Sequence, residues 1–275
     1  VRRAAVENPW FLPQEIIRAV KAIRCEMLER QRLEAWAGAY PPVRTPKRVL
    51  VVMAGNIPLV GFFDLLCVLA SGHACRVKPS SKDTVLIGYV VDLLRTIDPA
   101  IPLRMAEQGE RPDAVIATGS DNANRYFRML FGGIPSLLRG SRQSVAILSG
   151  RETAAELSGL EEDIFAYSGL GCRNVSLLFL PRGYLPELRC TALNEKYRRN
   201  YLRERALLRM RRMPFVDLDG AVLCEDRSFP AALSRIHYTF YDSLADVEAW
   251  LAAHDDRLQC VVSQCVRHSR RVAFG

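Results

Sequence analysis

The apolar residues change spacing twice along the chain. From about Pro13 to Trp36 they recur at helical intervals, with Pro13 suited to a first turn, which predicts one amphipathic helix. A proline-rich linker, AYPPVRTPKR, follows. Short unbroken apolar runs then alternate with helical patterns. RVLVVMA, ACRVK and DAVIAT read as strands, and GFFDLLCVLAS, DTVLIGYVVDLLRTI and NANRYFRMLF as the helices between them, with QSVAIL closing the series near residue 148. Strands that are apolar throughout are buried on both faces, so this stretch predicts a parallel sheet covered by helices. Past residue 150 the rhythm loosens. A helix, a loop carrying Cys172, the strand VSLLFL, a long basic helix, IHYTFY, the helix LADVEAWLAAH and the strand LQCVVS suit a second α/β lobe.

Alternation of this kind is a dinucleotide-domain pattern, and ligands in such sheets sit beyond the carboxyl ends of the strands. Those ends are MAGNIP, VKPSS and ATGS, all rich in Gly, Pro, Ser or Asn. Any one of them reads as an ordinary turn; the three together read as turns that approach a ligand.

Composition narrows the class. A chain of 275 residues with 49% hydrophobic content builds one or two packed domains and is expected to be soluble and globular. No run of 18 uncharged apolar residues is present, so no membrane span is expected, and VRRAAVENPW lacks the apolar segment of a signal peptide. The start at Val1 and the strand-like RRVAFG at the other end predict that the natural chain extends beyond both. The eight cysteines form no CxxC pair and only four histidines accompany them, so no metal site is expected. Free thiols in apolar runs predict a reducing compartment, hence the cytoplasm. The net charge of +8 lies largely in residues 194–214, which read as one solvated helix; no nucleic-acid motif accompanies it, so no nucleic-acid partner is expected.

The stretch YSGLGCRNVS is the sharpest chemical signal. Cys172 follows the glycine-flexed Gly169-Leu170-Gly171 and precedes an apolar strand. A buried structural cysteine needs no such lead-in. A nucleophile does, because a substrate must reach the sulfur and backbone N–H groups must converge on one carbonyl oxygen.

The block VVMAGNIPLVGFFDLLCVLASGHACRVKPSSKD, taken with ATGSDNANRYF, RGSRQSVAIL and the Cys172 loop, resembles the LuxC-type acyl-CoA reductase (fatty-acid reductase) family of the aldehyde dehydrogenase superfamily, over roughly residues 45–275. The resemblance implies an aldehyde-dehydrogenase-like α/β fold with a Rossmann-like cofactor lobe, an α/β catalytic lobe and a cleft between them. The divisions expected are a helical segment and linker over 1–44, a cofactor-binding domain over 45–150, a catalytic domain over 151–265 and the start of a return segment over 266–275.

By the same resemblance, Cys172 would accept an acyl group as a thioester that NADPH reduces to an aldehyde. Asn56 of AGNIP would donate its side-chain amide to the substrate oxygen; its competing role is to satisfy the strand-to-helix turn. Lys78 and Ser80 of VKPSS stand where the superfamily's KPxE meets the adenosine ribose. A carboxylate there would repel a 2′-phosphate, whereas Ser80, Ser81 and Lys82 would admit one, which favours NADPH. Thr118, Gly119 and Ser120 end a strand and open a helix, a natural pyrophosphate site. GxGxxG is absent, as it is in the aldehyde dehydrogenase branch. Aldehyde dehydrogenases carry a glutamate in ELGG as hydrolytic base; the matching LRGSRQS offers Arg139, and the acids of the next helix, Glu152, Glu161 and Glu162, read as surface residues.

The expected activity is therefore NADPH-dependent reduction of an acyl thioester, with acyl-CoA or an acyl-donor protein as partner and a homo-oligomer as the assembly. The competing readings are a conventional aldehyde dehydrogenase working oxidatively and a non-catalytic scaffold subunit of the same fold.

Overall fold

The valine-rich runs become the central strands of two separate sheets in the computed structural model, which describes residues 1–275. The chain divides into two units, Val1–Ser141 and Arg142–Gly275, with one sheet in each.

In the first unit α1 (Arg2–Glu7), α2 (Pro13–Ala22) and α3 (Arg30–Gly38) precede β1 (Arg48–Val52), α4 (Phe62–Ala70), β2 (Ala74–Lys78), α5 (Thr84–Ile97), β3 (Leu103–Met105), β4 (Ala114–Thr118), α6 (Asp121–Phe131) and β5 (Ser136–Arg139). The sheet order is β3-β2-β1-β4-β5 and every pairing is parallel. Val51 and Val77 pair in register at its centre, and Leu65 of α4 and Ile87 of α5 join the same buried cluster. Each such side chain contributes about 1.5–3 kcal/mol when fully buried, so the sheet centre organises the unit. Because β4 lies beside β1 and not beside β3, the order reverses at β1, which makes the carboxyl ends of β1 and β4 the switch point of the sheet.

The single helix expected over Pro13–Trp36 is broken. α2 ends at Ala22, Ile23–Met27 form a wide π turn, and the Glu29 carboxylate starts α3 by accepting from the Gln31 and Arg32 N–H groups at 3.2 and 3.1 Å. Apolar spacing continues across the break, since Ile23 and Met27 still pack on the core, so periodicity alone does not register it. The short edge strands β3 and β5 had no apolar signal of their own; Ser136 and Leu137 are exposed.

The second unit runs β6 (Gln143–Ile147), α7 (Ala154–Phe165), β7 (Val175–Pro181), α8 (Glu195–Met210), β8 (Val216–Asp217), β9 (Val222–Glu225), β10 (Arg235–Tyr241), α9 (Leu244–Ala253), β11 (Leu258–Ser263) and β12 (Arg271–Val272). The segment QSVAIL, expected to close the first series, is β6 at the heart of this second sheet, whose order is β12-β11-β6-β7-β10-β9-β8. All pairs are parallel except β8 with β9. Val145, Leu177, Phe179 and Val261 fill its core, and Trp250 of α9 packs on Phe179 with ring centroids 4.9 Å apart. Thr153 and Glu156 close a capping box at the start of α7. The basic helix α8 is solvated on one side and buries Tyr197, Tyr201 and Leu208 on the other; Tyr197 meets Phe165, the last residue of α7, edge-on at 6.4 Å. No helix is long and apolar enough to cross a membrane.

Candidate active site

Beyond α7 the backbone turns left-handed for three successive residues, Tyr167 (φ 52°), Ser168 (φ 56°) and Gly169 (φ 67°). Glycine takes this conformation freely; Tyr167 and Ser168 take it at about 1–2 kcal/mol each. The glycine read from the sequence as flexing this loop therefore serves at Gly169. Further on, the chain is shaped by Asn174. Its N–H bonds the Gly171 carbonyl at 3.0 Å, closing a turn with Cys172 and Arg173 at the centre. Its side-chain oxygen accepts the Gly171 N–H at 2.8 Å, and its Nδ2 donates to the carbonyls of Asp163, Ile164 and Ala166 at 3.0–3.3 Å. Asn174 thus caps the end of α7 and ties the Cys172 turn to it.

Cys172 is exposed, as is Cys25 on the π turn; the other six thiols are half-buried or buried. Crowding around the sulfur nevertheless desolvates it, and burial pushes the Cys172 thiol up against the pull of Arg173. Exposure of the residue and desolvation of the sulfur point in different directions. For reactivity the sulfur's own surroundings decide, so the thiol is largely protonated near neutral pH and has to lose its proton to attack. Burial also pushes up Cys67, Cys190 and Cys224, and Cys75 to about 12.

The remaining residues singled out in the sequence gather at the carboxyl edge of the first sheet. Asn56 is half-buried in the loop between β1 and α4. In the same loop Leu59 is left-handed (φ 57°), and its N–H is donated to Asp83 Oδ2 at 2.8 Å. Lys78, the last residue of β2, and Ser81 are exposed, while Ser80 is half-buried. Ser80 packs so closely on Gly55 that a Cβ there would lie 2.5 Å from the Ser80 Cβ, and its hydroxyl accepts from the Lys82 N–H at 3.3 Å. Thr118 ends β4. Gly119 lets α6 approach the strand, since a Cβ would come within 2.9 Å of the Ala123 Cβ. Ser120 caps α6 through the Ala123 N–H at 3.3 Å, which leaves the Asp121 and Asn122 N–H groups without acceptors. The Asp121 carboxylate at this helix end is turned to the Ser141 N–H at 3.0 Å.

Arg139, at the position matching the superfamily's hydrolytic glutamate by the resemblance, binds both oxygens of the buried Asp64 at 2.7 Å. Glu152 accepts from the Ser149 and Gly150 N–H groups, and Glu161 from the Arg189 N–H at 2.7 Å. No group of three or more His, Cys, Asp or Glu side chains is arranged to hold a metal. A surface depression of about 540 Å³ runs along α2 and the π turn, between Gln14 and Cys25, and contains none of the candidate residues.

Sequence reasoning missed Asp83, Asn174 and Ser144. Asn174 carried a signal, being a turn-forming residue two places after the cysteine. Ser144, whose hydroxyl reaches the Cys172 carbonyl at 2.9 Å, carried none.

No family model matches the chain, and no curated protein matches it in sequence. Solved structures do share its fold. A Burkholderia cenocepacia protein assigned to the aldehyde dehydrogenases superposes with a TM-score of 0.62 at 18% identity, over 83% of this chain and 60% of its own. A NAD-dependent benzaldehyde dehydrogenase from Corynebacterium glutamicum gives 0.59 at 15%, over 85% and 66%. The Mycobacterium tuberculosis aldehyde dehydrogenase complexed with NAD+ gives 0.57 at 17%, over 74% and 53%. The chain spans roughly half to two-thirds of the length of these proteins. Its fold is aldehyde-dehydrogenase-like.

Proposed function

We propose that this aldehyde-dehydrogenase-like chain reduces an acyl thioester to an aldehyde, using NADPH, through an S-acyl intermediate on Cys172. The observation that carries the reading is Cys172 itself. The residue is exposed on a turn whose Cys172 N–H makes no hydrogen bond to another residue. Nucleophile and oxyanion donor are thus adjacent in one residue.

The Cys172 thiol loses its proton to solvent, and the thiolate attacks the thioester carbonyl. The carbon–sulfur bond to the donor breaks, the donor leaves as a thiolate that takes up a proton, and the acyl group stays on Cys172. A bound nicotinamide cofactor would supply the hydride. The Cys172 N–H stabilises the negative oxygen that forms. Collapse of that adduct expels the Cys172 thiolate and releases the aldehyde. The acyl donor in this reading is acyl-CoA or an acyl-carrying protein.

The residues of the first unit fit such a cofactor. Two open N–H groups at the start of α6 and the close approach at Gly119 suit a pyrophosphate. Lys78, Ser81 and Lys82, exposed and without a carboxylate among them, suit a ribose 2′-phosphate. The Arg139–Asp64 pair supports reduction over hydrolytic oxidation, because an arginine held by a buried acid takes no proton from water.

The test is incubation with acyl-CoAs of graded chain length and NADPH, following loss of NADPH absorbance and appearance of aldehyde. Consumption of NADPH with aldehyde release supports the reading. Oxidation of aldehyde to free acid without added CoA points instead to a conventional aldehyde dehydrogenase, and no turnover with an unacylated Cys172 points to a scaffold.

A further inference from the structure

The second sheet slips its register twice, and both slips fall at Ser144. Toward β7 the pairing runs Ser144 with Val175 and then Val145 with Leu177. Toward β11 it runs Gln143 with Leu258 and then Val145 with Val261. Each neighbouring strand therefore carries one extra residue beside Ser144. A bulge leaves a ladder group without its strand partner and re-aims what lies next to it. Here the Cys260 N–H is donated to Ser144 Oγ at 3.1 Å, and the same hydroxyl donates its proton to the Cys172 carbonyl at 2.9 Å. Ser144 is 0% exposed, so solvent does not compete for either bond.

Two bonds from Asn174 act on the other side of the turn, on the Gly171 N–H and the Gly171 carbonyl. The peptide planes before and after Cys172 are thus both held. What remains unbonded to any other residue is the Cys172 N–H, which lies toward its own sulfur. A donor to a transient oxyanion has to be aimed before the charge forms, and a displacement of about 1 Å costs on the order of a hundredfold.

We propose that Ser144 is a positioning residue: it fills the double bulge at the start of β6 and, through the Cys172 carbonyl, holds the peptide after Cys172, while Asn174 holds the peptide that carries the Cys172 N–H, so that the two together fix the residue whose N–H receives the oxygen of the acyl adduct. This rests on the reading of Cys172 as the acyl acceptor. The alternative is that Ser144 merely satisfies the Cys260 N–H, in which case its loss costs stability and nothing else.

Ser144→Ala separates the two. The measurements are kcat and KM with acyl-CoA and NADPH, the melting temperature, and the pH profile of Cys172 alkylation by iodoacetamide. The expected result is a fall in kcat of about ten- to a hundredfold with KM within about twofold. The alkylation midpoint should also move, because the backbone on the carboxyl side of Cys172 is no longer fixed beside the sulfur. A lower melting temperature with kcat and alkylation midpoint unchanged overturns the proposal. If native protein takes no acyl group on Cys172, the nucleophile assignment fails, while the alkylation profiles still judge the positioning. Should Ser144→Ala not fold, amide hydrogen exchange on the native protein decides: protected Gly171 and Asn174 amides flanking a fast Cys172 amide support the arrangement. A Cys172 amide as protected as its neighbours overturns it.

Discussion

Asp83 accepts the Leu59 N–H at 2.8 Å from a position that is only 2% exposed, and so joins two loops at the carboxyl edge of the first sheet. One loop carries Asn56 and the other Ser80, Ser81 and Lys82. Asp83 stands at the start of α5 without capping it, because its carboxyl is turned to Leu59. Burial pushes that carboxyl up to about 7, only partly offset by the Leu59 N–H.

A stability profile follows from that shift. The folded state holds the Asp83 proton more tightly than the unfolded chain does, so the stabilisation is fully present below about pH 4, is lost as pH rises, and levels off above about pH 7. Asp83→Asn keeps an acceptor for Leu59 and removes the titration. The native protein should therefore lose up to a few kcal/mol relative to the variant between about pH 4 and 7. Denaturant titrations at several pH values measure this, and parallel profiles would show that Asp83 ionises freely in the folded state.

Acylation should mark Cys172. With acyl-CoA and no cofactor, peptide mass spectrometry should find one acyl group, on the peptide containing Cys172. Cys172→Ser should lower reductase activity by roughly a thousandfold or more, since an alkoxide leaves less readily than a thiolate. The rate of acylation should climb on the alkaline side of neutrality, because burial holds the thiol up. An acyl group on Cys25, the other exposed cysteine, would refute the assignment.

Cofactor choice should respond to charge at Ser81. Its side chain is exposed, so a glutamate fits without repacking. NADPH should be preferred by the native protein, and Ser81→Glu should raise the KM for NADPH while leaving that for NADH nearly unchanged. Equal effects on both cofactors would place the ribose elsewhere.

The acyl-enzyme should resist water. A positioned general base typically contributes about 10²–10⁴-fold, and here Arg139 is held by Asp64 while Glu152 and Glu161 are engaged with backbone amides. Isolated acyl-enzyme should persist in plain buffer and discharge when CoA is added. Rapid release of free acid in buffer alone would reveal a base among other residues.

The parallel strands were legible because a strand buried on both faces has to be apolar along its whole length, as RVLVV and VSLLFLP are. Part of the bend before Cys172 was legible because a left-handed residue is most readily a glycine, and Gly169 is one. The three turns rich in small residues were legible for the same steric reason, since Gly55 and Gly119 stand where a Cβ would collide.

Other features needed the tertiary structure. Periodicity reports burial and not backbone pitch, so it ran on through the π turn at Ile23–Met27. A buried apolar strand reads the same in either sheet, so only packing assigned β6 to the second. Asn174 ties the Cys172 turn locally, but other bonds join residues far apart in the chain: Ser144 meets the Cys172 carbonyl across 28 positions and the Cys260 amide across 116, and Asp83 meets Leu59 across 24. A serine inside QSVAIL or an aspartate at a helix start carries no mark of a partner that distant. Sequence by itself determined which residue types stand where chemistry is possible. Only the fold decided which backbone groups those side chains hold, because hydrogen bonds across such distances exist only once the strands have been brought together.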